Sequence, residues 1–271
     1  MMRRRKMLLK EKLDQLKHAH VQKPDKVFTL YLNTDRRDAD RQNGEWKIQL
    51  KNGFRNFEDY LKQSDNKEEL EKYEKVKGKV QDELNRIEND LKRGLVIIAS
   101  SDDQIWFVER TQVPVETNLY WEEEPQLEAL EKLKSDYPNT GIILVHHDYV
   151  RILETELGFL TKSEEYAWDP DEDNWKIYEG TTGNENISGN GSTAQRELYE
   201  DRIKANRERW YKSMAAKLDK KAKNRQWERI FVAGEKEEAS ELNELMNKES
   251  IVVGKNYSDK RDDEVIESLV S

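Results

Sequence analysis

Four glycines crowd one stretch of seventeen residues, EGTTGNENISGNGSTAQ, at 179–195. Gly180, Gly183, Gly189 and Gly191 admit positive φ and let a ligand come close to the backbone. Asn190 tolerates the left-handed region better than most residues. Ser192 or Thr193 can cap a following helix by accepting from its first N–H groups. The free N–H groups of such a first turn favour an anion, or an oxyanion developing during a reaction. The same composition also describes a plain hairpin connector ahead of a solvated helix.

The segment after the loop is basic. Residues 195–225 carry 11 Lys/Arg against 5 Asp/Glu, a local charge of +6. A glycine-rich tip on such a stalk suits reaching into RNA better than closing over a small metabolite. Tyr199, Ile203, Trp210, Met214 and Leu218 recur at near-helical spacing and read as the packed side of that helix. Residues 1–26 hold 9 Lys/Arg against 3 Asp/Glu, again +6. The chain as a whole is −9, so the remainder carries −21. Basic patches on an acidic body can dock on phosphates locally while the rest limits nonspecific binding. A chain with 38% charged residues also clusters charge on helix faces without any such purpose.

With 271 residues there is room for two small domains or one large one. Cysteine is absent, which excludes disulfides, thiol nucleophiles and thiolate metal sites. The opening MMRRRKMLLKEKLD breaks its apolar run too early for a signal peptide. No run approaches the ~18 apolar residues of a membrane span. A soluble, cytoplasmic protein that needs no membrane is expected.

The apolar pattern supplies the elements. Residues 3–20 read as a helix with Leu8, Leu9, Leu13 and Leu16 on one side, ended by Lys23-Pro24-Asp25. VFTLYLN, 27–33, reads as a strand. Trp46, Leu50, Phe54, Phe57 and Leu61 mark an amphipathic helix over 45–63, and a charged helix is expected over 66–93. LVIIASS and QIWFVERT read as a strand hairpin across Ser101–Asp103, followed by a helix over 124–135. GIILVHH and VRILETEL form a second strand pair, with further strands near Glu165–Trp168 and NWKIYEG. After the basic helix come a strand (RIFVAGE), a helix (236–247), a strand (IVVGKN) and a terminal helix (261–270). Strands alternating with helices imply α/β architecture.

The order of these pieces resembles the archaeal and eukaryotic class-1 peptide chain release factors and their bacterial relatives. VFTLYLNTDRR resembles the opening strand of that family's first domain, and GLVIIASS, 94–101, a later strand. The helical stretch Lys47 to Arg93 sits where the family carries its decoding helices. TNLYWEEEPQLEAL, 117–130, resembles the segment joining first and central domains. GIILVHHDYVRILETELG, 141–158, resembles the strands that open the central domain, and RIFVAG, 229–234, the strand after its Arg-rich helix. The resemblance implies a two-domain α/β fold. An N-terminal domain with long helices spans 1–138, led by a helical segment at 1–22. A central mixed-sheet domain spans 139–271, with loop 179–195 and basic helix 196–224. The family's third domain, which meets its GTPase, has no room here, so no GTPase partner is expected.

In that family the loop before the basic helix carries Gly-Gly-Gln and enters the peptidyl-transferase centre. Aligning Arg196 with the family's arginine puts Asn190-Gly191-Ser192 at that place and displaces Gln195 by three residues. The resemblance then implies hydrolysis of the peptidyl-tRNA ester, with a backbone N–H near Ser192 helping to place water and hold the oxyanion. Gly189, Asn190, Gly191, Ser192 and Gln195 are the catalytic candidates. Arg196, Arg202, Arg207, Arg209 and Lys212 are the candidate contacts to RNA phosphate. The implied partners are the ribosome, at its rRNA-lined A site, and peptidyl-tRNA, in rescue or quality control. A tip that docks without reacting, as a sensor of stalled ribosomes, and cleavage within the tRNA remain alternatives. KNGF, 51–54, is the nearest thing to a codon-reading motif and is a poor one, so stop-codon reading is not expected.

No cofactor and no metal are expected. His146 and His147 end an apolar strand on opposite faces and make a poor chelate. DPDED, 169–173, has Asn174 and Gly180 where a calcium loop needs glycine and glutamate. No phosphate-binding loop, dinucleotide fingerprint or nucleophile elbow occurs.

Overall fold

A computed structural model describes residues 9–37, 44–64, 66–168, 176–178 and 193–270, with backbone alone for 176–178 and 193–204. The chain divides into two compact units, Met1–Asp136 and Tyr137–Ser271. The described residues form a mixed α/β structure with two sheets and seven α-helices.

The first unit is built on a four-stranded antiparallel sheet in the order β3-β2-β1-β4. β1 (Val27–Asn33) runs between β2 (Gly94–Ser100) and β4 (Asn118–Glu122), with Val27 opposite both Ser100 and Glu122. A strand covered on both faces reads as a continuous apolar run instead of an alternating one, and VFTLYLN is buried almost throughout. Phe28, Leu30 and Leu32 join Leu95, Ile97 and Ala99 beneath α2 (Glu45–Gln63) and α3 (Lys67–Ile87). The helices contribute Trp46, Leu50, Phe54 and Leu61, and Tyr73, Val76, Val80, Leu84 and Ile87. The Asn66 side chain caps α3, accepting from Glu69 N–H at 3.2 Å. On the other face Tyr31 donates to Gln126 C=O and accepts from Leu130 N–H, which fixes α4 (Glu128–Asp136). α1 (Leu9–Lys17) reaches β3 (Trp106–Thr111) through Lys12–Glu109 and α4 through Lys17–Glu131.

Three expectations change here. The charged helix stops at Ile87 in a short 3-10 turn, Glu88–Asp90, and Leu91 is already extended. Asn118–Glu122 is a strand that closes the sheet edge, not merely a joining segment. The next helix accordingly begins at Glu128. Leu91 alone extends the helical pattern past Ile87, whereas strand pairing to β1 needs a partner 85 residues or more away, as in Tyr31↔Asn118.

The second unit has a six-stranded mixed sheet, order β10-β9-β5-β6-β7-β8. β5 (Thr140–Val145), β9 (Arg229–Gly234) and β10 (Ile251–Val253) run parallel, and β5, β6 (Tyr149–Glu156), β7 (Phe159–Ala167) and β8 (Lys176–Tyr178) are antiparallel. One face carries α5 (Thr193–Arg225) and α6 (Lys236–Leu245), the other α7 (Asp262–Val270). Gly141 is required in β5: a Cβ there would lie 2.3 Å from the Trp227 ring. The ring therefore packs close against β5 directly after α5 ends.

Candidate nucleic-acid interface

α5 is a single helix of 33 residues, about 50 Å long at 1.5 Å per residue. Its packed side is Trp210, Tyr211, Met214, Ala215, Leu218 and Ala222, all buried against β5, β6, β9 and α6. Trp168 stacks on Trp210 at 6.2 Å between centroids. Trp210, Met214 and Leu218 thus occupy the core positions read from the sequence, while the side chains of Tyr199 and Ile203 lie outside the described residues.

The base of α5 is held by an ion cluster. Glu164 on β7 pairs with Lys221 on α5 and with Lys162, and accepts from Tyr166 Oη at 2.8 Å. Burial pushes the Glu164 carboxyl up, but bonds from Lys162, Lys221 and Tyr166 outweigh it and hold the group at about 2. Neighbouring Glu154 on β6 is buried with Arg225 3.7 Å away, and burial raises its pKa. Lys217 lies over the Tyr166 ring, 4.4 Å from its centroid, and burial lowers its pKa. At the helix end Asn139 donates to the C=O of Arg225 and of Gln226, at 2.6 and 3.1 Å. Sequence reasoning counted these cations but missed the cluster. Their partners come from β6 and β7, 51 residues or more away, and only the 217, 221, 225 spacing signalled a shared face.

The outward face differs in kind. Arg209 is exposed, and among the described residues its guanidinium is bonded only within the helix, to Asn206 Oδ1 and Ala205 C=O. Lys212 is exposed as well. Arg207 instead turns to α6, 3.7 Å from Glu241, with its side chain 23% exposed. Gln195, Arg196 and Arg202 fall on the α5 backbone, and their side chains are outside the described residues. Gly189, Asn190, Gly191 and Ser192, the rest of loop 179–192 and DPDED also lie outside them.

β5 stops at Val145, so His146 and His147 lie in the turn before β6 and not on the strand the sequence suggested. His146 is buried against Tyr149, 4.2 Å between centroids, and burial lowers its pKa to about 4. His147 faces out, with Nδ1 3.2 Å from Glu238 Oε1. Among the described residues no group of His, Asp or Glu could hold a metal ion, and no helix is long and apolar enough to cross a membrane.

The first unit offers a second polar surface. A groove of about 750 Å³ runs between α2 and α3, lined by Trp46 and Phe54 and by charges of both signs, Lys51, Arg55, Lys62 and Lys77 with Glu58, Asp59, Asp82 and Glu88. Tyr60 and Ile48 stand exposed on α2.

Fold and site together define a two-unit α/β protein whose second unit carries a long basic helix directly after the glycine-rich sequence 179–192. A model described as "Bacterial archaeo-eukaryotic release factor family 5" matches residues 138–271. The Bacillus subtilis (strain 168) protein named "Uncharacterized protein YocB" is 36% identical over 265 residues, spanning 97% of this chain and 99% of its own. The chain belongs to this bacterial branch of the archaeo-eukaryotic release factor superfamily. A crystal structure of the archaeal translation termination factor aRF1 aligns over 95% of this chain and 71% of its own, at TM-score 0.31 and 14% identity. An archaeal protein aligns over 97% and 70%, at TM-score 0.32 and 16% identity.

Proposed function

We propose that this protein acts in translation, docking on the ribosome and presenting loop 179–195 to the ester of peptidyl-tRNA. The observation that carries the reading is α5: a basic helix packed at its base, directly preceded in the sequence by the glycine-rich stretch 179–192, in a chain of release-factor family. Arg209 and Lys212, with Arg196 and Arg202 earlier on the helix, meet rRNA phosphates. Arg207, already beside Glu241, contributes less. In the reacting complex the loop turns at Asn190 and Gly191, and the Ser192 N–H holds the oxyanion as water attacks the ester carbonyl. Gln195 serves as a second polar group if the loop extends. Nothing in this chemistry asks for a cofactor or a GTPase.

The test is peptide release from stalled ribosomes bearing labelled peptidyl-tRNA. Wild-type protein is expected to release peptide. Gly191→Ala is expected to bind ribosomes nearly as well and to release peptide about 10²-fold more slowly or not at all. Equal release by the mutant sinks the loop assignment. Binding without release by either protein makes this a docking module that senses stalled ribosomes, the reading supported by a tip that departs from Gly-Gly-Gln.

A further inference from the structure

One edge of the second sheet is β10, which pairs with β9 and has no further strand beside it among the described residues. Ile251 and Val252 are 50% and 37% exposed. Successive residues of a strand point to opposite faces, so a gap over one face would bare only one of them. Both are bare because the edge itself is uncovered. An open edge of β-branched residues is a template for another strand.

The edge is held ready for pairing. The Asp219 carboxylate on α5 accepts from Asn247 N–H at 2.9 Å and from Lys248 N–H at 3.0 Å, which fixes the chain ahead of the strand. Ser250 bonds to Asn243 on α6. Past the strand, Lys255 N–H donates to Val253 C=O at 2.8 Å and turns the chain. In a parallel pair the N–H and C=O of one residue point to the same side, alternating along the chain. Either Val252, or Ile251 with Val253, therefore presents both groups at the open edge.

Charge decides what fits this edge. Glu249 stands two residues before Ile251, and Lys255 two residues after Val253. Both are exposed, and neither has an ion pair among the described residues; Lys255 rests 5.1 Å from the Tyr257 ring centroid. A two-fold axis through Val252 sets Val252 opposite Val252, Ile251 opposite Val253 and Glu249 opposite Lys255. A slip of one residue sets Glu249 opposite Gly254 or Asn256 and loses both ion pairs. Edges guarded against pairing carry Lys or other charge that repels a second copy. This edge carries opposite charges at its two ends and complements itself.

We propose that β10 docks a second copy of this chain, the two β10 strands pairing antiparallel about Val252. Backbone bonds at the outward-facing residues then join the two six-stranded sheets. Cross-strand β-branched contacts and two Glu249–Lys255 pairs set the register. An interface this small gives a reversible dimer with a dissociation constant on the order of 10 µM. The inference holds whether or not the loop of the second unit is hydrolytic.

The test is sedimentation velocity of the full chain over about 1 to 300 µM. Wild type is expected to pass from monomer to dimer across that range. Glu249→Lys and Lys255→Glu, both at exposed positions outside the strand, are each expected to weaken the dimer by about tenfold or more and to melt like wild type. An equimolar mixture of the two is expected to restore it, because one variant carries positive charge at both ends of the edge and the other negative. A wild type that stays monomeric throughout overturns the proposal and leaves the edge to a strand of a different protein. A dimer that both variants retain, or a mixture as weak as each variant alone, also overturns it.

Discussion

Glu154 and Glu164 lie on adjacent strands beneath one helix, yet their surroundings push them in opposite directions. Glu164 falls to about 2 from an ordinary 4.5, so its stabilisation is complete above about pH 4.5 and is lost as pH falls towards 2. Glu154 is raised, so its contribution is complete below 4.5 and is lost as pH rises through its folded value. Glu164→Gln is therefore expected to lower the unfolding free energy at pH 7 by about 3 kcal/mol, since it strands Lys221 half-paired. Glu154→Gln is expected to change it by less than about 1 kcal/mol, or to raise it. Urea titration of both variants checks the contrast, and equal losses would contradict it. His146 behaves as a buried base: its folded pKa is about 4 against 6.5, so stability is complete above 6.5 and falls between 6.5 and 4. His146→Phe should flatten the urea midpoint over that interval. None of these shifts was visible in the sequence, because each depends on burial and on partners brought from other strands.

At the scale of elements, α5 shows what a single helix can and cannot declare. Trp210, Met214 and Leu218 announced its packed side through spacing alone. Leu218 is fully buried, and Leu218→Ala is expected to cost about 2–5 kcal/mol in a denaturant titration. Arg209 and Lys212 should tell a different story. Their double alanine variant is expected to melt like wild type but to flatten the salt dependence of ribosome binding by up to roughly 0.9 in log–log slope per lost phosphate contact. An unchanged slope would remove them from the interface. The helix does not declare which of its cations are free: Arg207 and Lys221 are as basic in sequence as Lys212, and only α6 and β7 distinguish them. β4 was missed for a related reason. NLYWE carries Trp and Glu beside its apolar residues and becomes a strand by pairing with β1.

For the whole molecule, the division at Asp136–Tyr137 leaves each unit with its own sheet and its own hydrophobic clusters. Residues 137–271 expressed alone are expected to melt in one cooperative transition by circular dichroism; a featureless melt would show that the unit needs the rest of the chain. By itself the sequence determined the alternation of apolar runs that become β1, β2, β5 and β9, the amphipathic faces of α2 and α5, and the order of pieces that places the chain in its family. Those are local properties, fixed by side-chain periodicity and the need to bury it. Only the tertiary structure decided which charges neutralise one another, which edge strand stays uncovered, and where carboxylates meet α5. Such facts depend on contacts between residues tens of positions apart, whose pairing no local period encodes.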